Sequence, residues 1–169
     1  KCLTTMSDSD GRPIVKDYFK GIREKVFPVG RLDYNSEGLL IVTNDGELAN
    51  AILHPASKVP KTYLVKINGF IDDKDAAKLE KGIRLDDGMT APAKVKMKNK
   101  TEANSWIEMT ISEGRKRQIR RMLERVGHPV IKLRRIRIGG ISLGKLEPGA
   151  LRHLTPEEVS KLKKETGIS

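Results

Sequence analysis

Arg31 and Asp33 stand two residues apart in Gly30-Arg31-Leu32-Asp33, with an apolar residue between them. In an extended segment alternate side chains share a face, so the acid and the base would emerge together. Asp33 falls where that segment, read as a strand over 29–32, enters the polar loop Tyr34-Asn35-Ser36-Glu37-Gly38. An apolar, β-branched run follows, Leu39-Leu40-Ile41-Val42-Thr43, closed by Asn44-Asp45-Gly46. That run predicts a buried strand ending in a tight turn. A carboxylate at a strand end, over a buried run and beside a cation, suits active-site chemistry. It equally suits a loop cap that accepts from nearby N–H groups. Spacing alone leaves both readings open.

A second cluster lies in Glu113-Gly114-Arg115-Lys116-Arg117-Gln118-Ile119-Arg120-Arg121-Met122-Leu123, where five of the seven residues from Arg115 to Arg121 are basic. Ile119, Met122, Leu123 and Val126 recur at i, i+3, i+4 and i+7, which predicts a helix ending at Val126-Gly127. Arg115, Lys116 and Arg117 sit near its amino end, where a phosphate would meet side-chain charge and free N–H groups together; Arg121 adds to the same basic face. Arg120 follows Ile119 and could turn inward. A further basic run, Lys132, Arg134, Arg135 and Arg137, lies within a strand predicted over 130–138, with Leu133 among the charges.

The elements that must carry these residues follow from periodicity. Strands are expected at 1–6, from 26 into the Arg31–Asp33 segment, and over Thr62–Ile67, where Tyr63, Val65 and Ile67 share the inner face. Another spans 94–98 with lysines outward, and one from Trp106 to Ser112 buries Ile107, Met109 and Ile111. Helices are expected after Pro13 (Val15, Tyr18 and Phe19 on one face), over 47–53, and over 72–81 with Gly82 at its stop. Thr155-Pro156-Glu157-Glu158 is a capping-box start for a terminal helix to about Lys164. Strands outnumber helices, so the class is α+β with a mostly antiparallel sheet.

Composition narrows the partners. The chain has 169 residues, 33 Lys plus Arg against 22 Asp plus Glu, and a net charge of +11. A pI near 9.8 makes nucleic acid the leading partner class, against a soluble protein with merely basic faces. Cys2 is the one cysteine, so no intramolecular disulfide can form and a reducing cytoplasm is expected. No apolar run approaches the roughly 18 residues of a membrane helix. His54, His128 and His153 lack ligand spacing and no nucleotide-binding loop occurs, so neither metal nor cofactor is expected. With seven aromatics (three Tyr, three Phe, one Trp), a stacking platform of the RRM type is missing.

The residues GRLDxxxxGLLxxTNDG, 30–46 here, resemble the catalytic motif of the pseudouridine synthases, specifically the RsuA/RluB type that acts on ribosomal RNA. SDxxGRPxVxD from Ser7, KxY at Lys61–Tyr63, EGRxRQIRRM from Glu113 and LxRxxIG from Leu133 extend the resemblance over essentially the whole chain. It implies an α+β fold with a mixed, mainly antiparallel sheet in two lobes, flanking helices and a catalytic cleft between them. It also implies conversion of uridine to pseudouridine with no cofactor and no metal. Asp33 would be the catalytic aspartate, Tyr63 would stack on the target base, and Arg120 would pair with Asp33. Leu133 would pack against the flipped base, Arg31 would contact RNA where the uridine leaves the stack, and Arg115, Lys116, Arg117, Arg121 and Arg134 would grip phosphates. The implied partner is ribosomal RNA or a pre-ribosomal particle, bound by a cytoplasmic monomer. Members of this family often carry an amino-terminal S4 RNA-binding module, and nothing here resembles one. Without an initiator Met, the 1–169 catalytic domain reads as a piece of something longer.

The resemblance leans to the large-subunit branch, with a small-subunit enzyme as the alternative. A non-catalytic RNA-binding domain would need only the charge and the basic helix, leaving Asp33, Tyr63 and Arg120 together unexplained. A metal-dependent nuclease would want a carboxylate cluster, whereas Asp72-Asp73 and Asp86-Asp87 read as helix-start and turn residues.

Overall fold

The structure, a computed structural model, describes residues 2–168. A 3-10 turn at Val15–Phe19 precedes strands β1 (Phe27–Pro28), β2 (Glu37–Gly38) and β3 (Val42–Thr43) and helix α1 (Gly46–Leu53). Strand β4 (Lys61–Asn68), helix α2 (Asp73–Lys81) and the short hairpin β5 (Arg84–Leu85) and β6 (Gly88–Met89) come next. The long strands β7 (Lys94–Lys100) and β8 (Asn104–Ile111), helix α3 (Gln118–Arg125), strands β9 (Val130–Ile138) and β10 (Ile141–Ser142) and helix α4 (Pro156–Thr166) complete the order.

The main sheet runs β10-β9-β4-β8-β7, all antiparallel, with β2 added parallel to the free edge of β9. This is the mixed, mainly antiparallel sheet expected. Its long strands form where residues alternate with period two: Ser105, Ile107, Met109 and Ile111 of β8 are buried, while the residues between them are half-buried.

Two hydrophobic cores make the two lobes. One packs Val65, Ile67, Ile107, Met109 and Leu133 of the sheet against Leu79 of α2 and Ile119, Met122 and Leu123 of α3. The other gathers Val29, Leu39, Ile41, Leu48, Ile52, Ile138 and Leu162 around α1, α4 and the far end of β9. Strand β9 enters both, with Leu133 in the first core and Ile138 in the second, so one continuous element fixes the lobes to each other.

Three expected strands differ. Of the strand over 1–6, Lys1 lies outside the described residues, and the rest contributes one bridge, Leu3 to Ile14. Residues 29–32 are not a strand, although Val29 donates to the Ile41 carbonyl at 2.7 Å. Of the run over 39–43 only Val42–Thr43 is strand, as β3 on β1; residues 39–41 link it to β2 on β9 without strand pairing, and Leu39 and Ile41 bury their side chains. Gly38 makes the approach of β2 to β9 possible. At φ +116° it presses against the Arg135 backbone, where any Cβ would collide with the Arg135 carbonyl.

Candidate active site

A cleft of about 820 Å³ opens between the lobes, and Arg31, Asp33, Lys61, Tyr63, Leu133 and Arg135 are among its lining. The loop bearing Asp33 is held at both ends. The Thr4 hydroxyl donates to the Leu32 carbonyl and accepts from the Leu32 N–H, both at 3.2 Å. After the loop, the Leu39 N–H donates to the Arg135 carbonyl at 2.8 Å, and the Arg135 Nε donates back to the Leu39 carbonyl at 2.8 Å. Ser36 N–H closes a turn onto the Asp33 carbonyl at 2.8 Å. Among the described residues the Asp33 carboxylate itself makes no hydrogen bond and no ion pair. It is half-buried, fixed in place and free to meet a substrate.

Arg120 approaches this loop from α3. Its Nη2 donates to the Asn35 carbonyl at 2.9 Å, while its Nε is buried without a hydrogen-bond partner among the described residues. The expected Asp33–Arg120 ion pair is therefore not made: the guanidinium is anchored on the loop backbone two residues beyond Asp33. Burial lowers the pKa of Arg120, the Arg117 charge adds to that, and the Asp33 carboxylate opposes both. The two groups act on each other through space, in a partly desolvated site where such fields are little screened.

Tyr63 and Leu133 lie on the same inner sheet face. Tyr63 is opposite Arg135, and Leu133 is opposite Val65 two residues along β4. A β-bulge makes this face. Thr62 pairs with Arg137 and Tyr63 with Arg135, leaving Ile136 as the extra residue. Leu133 and Arg135 therefore point inward before the bulge and Ile138 after it.

The basic residues divide by what they touch. Arg121 makes a two-bond clamp on Asp87, 3.0 Å to each oxygen. Arg115 also reaches Asp87, together with the Gly88 and Met89 carbonyls of the β5–β6 hairpin. The Arg121 hydrogen bonds hold the Asp87 carboxyl below its ordinary pKa. Arg134 lies outside the cleft lining and pairs with Glu37 across β2 and β9. Arg31, Lys116 and Arg117 are exposed on the cleft lining and, among the described residues, their side chains make no ion pair. Arg117 caps α3 at φ 50°, turning the chain so that Arg120 faces Asn35.

Sequence reasoning did not single out Lys61 or Arg135 as site residues. Both line the cleft, and Arg135 is only 5% exposed. The signal was present, since Arg135 shares its strand face with Leu133 at a spacing of two. Among the described residues, no three His, Cys, Asp or Glu side chains gather as a metal would require.

Comparison with known proteins matches residues 5–125 to the RNA pseudouridylate synthase family model. The chain is 47% identical over 163 residues to the ribosomal large subunit pseudouridine synthase B of Bacillus subtilis, covering 95% of the chain and 67% of that protein. An RNA pseudouridine synthase of Aquifex aeolicus is 48% identical over 98% of the chain and 67% of its own length. A crystal structure of a pseudouridylate synthase superposes with a TM-score of 0.83 at 33% identity, covering 95% of the chain and 69% of that structure. The chain thus spans about two thirds of the length of these relatives.

Proposed function

This chain belongs to the RNA pseudouridylate synthase family and is a pseudouridine synthase, and from that premise we propose that it isomerises one uridine of large-subunit ribosomal RNA with Asp33 as nucleophile. The observation that carries the reading is Asp33 itself, a carboxylate fixed by its backbone at the cleft yet unpartnered among the described residues. The large-subunit assignment rests on the name of the Bacillus subtilis relative.

In this reading the uridine leaves its stack and enters the cleft, which costs a few kcal/mol. Exposed Arg31 stands at the entrance, and Lys116 and Arg117 neutralise phosphates along the rim. Tyr63 stacks on the base and Leu133 packs beside it. Asp33 attacks the nucleotide and releases the base from its C–N glycosidic bond. The held base turns and rejoins the sugar through C5, the bond to Asp33 breaks to return the carboxylate, and the base loses the C5 proton and takes one at N1. Arg120 steadies the loop and supplies positive potential to a carboxylate that must react while ionised. Arg115, Arg121 and Arg134 act chiefly in shaping the scaffold around this cleft. Residues 1–169 would form one two-lobed catalytic unit, monomeric, working in the cytoplasm on ribosomal RNA or a pre-ribosomal particle.

The test is pseudouridine mapping of ribosomal RNA from cells lacking the protein, complemented with wild type or Asp33→Asn. One large-subunit site should vanish and return with wild type alone. A small-subunit site would move the substrate, and full rescue by Asp33→Asn would remove Asp33 from the chemistry.

A further inference from the structure

The cleft holds a pair of cations for which the roles above supply no partner. Arg135 is buried to 5% exposure; its Nε is occupied by the Leu39 carbonyl, but its Nη2 is buried with no hydrogen-bond partner among the described residues. Lys61, two residues before Tyr63 on β4, is half-buried, and among the described residues its ammonium finds only the Val59 carbonyl at 3.3 Å. Both side chains line the cleft.

A buried guanidinium normally answers a carboxylate, because an uncompensated charge in a desolvated site is strongly unfavourable. Two carboxylates line this cleft. Glu113 is already engaged by the Ala91 N–H, Gln118 and Arg115. Asp33 bonds to neither cation. Burial and then the Arg135 charge push the Lys61 pKa down, as expected where two cations approach without an anion between them. A purely structural Arg135 would need only the Nε bond to Leu39. The remaining donor and its lysine neighbour form a site awaiting a negative oxygen.

We propose that Lys61 and Arg135 form an anion subsite in the cleft beside Tyr63, which binds a negatively charged oxygen of the nucleotide seated there. This rests on the function proposed above. Two oxygens of that nucleotide have the chemistry. One is a phosphate oxygen flanking the flipped uridine. The other is a uracil carbonyl oxygen: when the C1′–N1 bond breaks with its electron pair going to the base, the charge spreads over N1, O2 and O4. The base later returns a pair from C5 to C1′, loses the C5 proton and gains one at N1, so the charge is transient. Donors aimed at such an oxygen favour the transition state over the ground state.

The test uses the purified chain and a ribosomal RNA fragment bearing the modified uridine, with Lys61→Met and Arg135→Lys. Single-turnover rate, RNA Kd at two salt concentrations and melting temperature are read for each. A base-carbonyl site predicts a rate at least about 50-fold lower in Lys61→Met with Kd within twofold. A phosphate site predicts a Kd about tenfold weaker, a salt slope shallower by about one, and an unchanged rate at saturation. Either result supports the subsite. Lys61→Met with rate and Kd both within twofold of wild type would overturn it. If Arg135→Lys loses the Leu39 clamp and melts early, Lys61→Met alone decides. A wild-type chain that modifies no uridine counts against the proposed function instead, which keeps the two failures apart.

Discussion

The Arg120 guanidinium reaches the loop carrying Asp33 by donating from Nη2 to the Asn35 carbonyl, 2.9 Å away, and not by pairing with the Asp33 carboxylate. The nucleophile candidate is thus held by its backbone, from Thr4 on one side and Arg135 on the other, while its side chain stays open. A cation that grips the loop and not the acid can stabilise a reacting carboxylate without blocking it.

Arg120→Lys should therefore slow the chemical step. Lysine keeps the charge but lacks the planar fork that can hold Asn35 and still face Asp33. The expected loss is about 100-fold in single-turnover rate, with RNA affinity within a few-fold. An unchanged rate in a stopped-flow or quench assay would show that the guanidinium geometry is immaterial.

Gly38 and Gly46 make a matched pair for stability. Gly38→Ala puts a Cβ into the Arg135 backbone at φ +116°, and should cost more than about 2 kcal/mol while loosening the β2–β9 pairing. Gly46 has open space around it and starts α1, so Gly46→Ala should stabilise by about 0.5–1 kcal/mol. Chemical denaturation of both variants checks the contrast, and equal midpoints would contradict it.

The basic residues should separate into two groups. Lys116→Ala and Arg117→Ala should weaken RNA binding and each reduce the salt slope by about one, with melting temperature unchanged. Arg121→Met should lower the melting temperature, because it removes the two-bond clamp on Asp87 and leaves Arg115 alone to hold the β5–β6 hairpin. A fluorescence-anisotropy titration at several salt concentrations, run beside thermal melts, distinguishes the groups.

The terminal helix offers a pH test. The Arg152 hydrogen bonds, with help from the Thr155 N–H, bring the Glu158 pKa from 4.5 down to about 2. A depressed carboxylate contributes stability that is full above the unfolded pKa and is lost as pH falls through the folded one. The melting difference between wild type and Glu158→Gln should thus be complete at pH 6 and shrink between pH 4.5 and about 2. A difference constant across that window would rule the linkage out.

Much of this was readable before any coordinates. Period-two alternation marked β4 and β8, and the capping box marked the start of α4, because those signals are local. Asp33, Tyr63 and Leu133 were found through the motifs around them, and the structure brings all three to one cleft. What escaped depended on distant partners. The strand expected over 39–43 shortens to Val42–Thr43, because the residues just before it, Glu37 and Gly38, pair with a strand about a hundred residues later. Arg115 and Arg121 looked like a free basic face, since nothing local announces Asp87 as their partner across 28 and 34 residues. Arg135 read as one more member of the basic run at 132–137, because its burial comes from the Leu39 clamp and the bulge at Ile136.

The most direct measurement is the single-turnover conversion of uridine to pseudouridine in a ribosomal RNA fragment by the purified chain and by Asp33→Asn. The substitution keeps size and removes the charge of a side chain that bonds to nothing else among the described residues. The account predicts conversion by wild type, no detectable conversion by Asp33→Asn, and equal RNA affinity and melting temperature for the two. Conversion by Asp33→Asn within tenfold of wild type would contradict it.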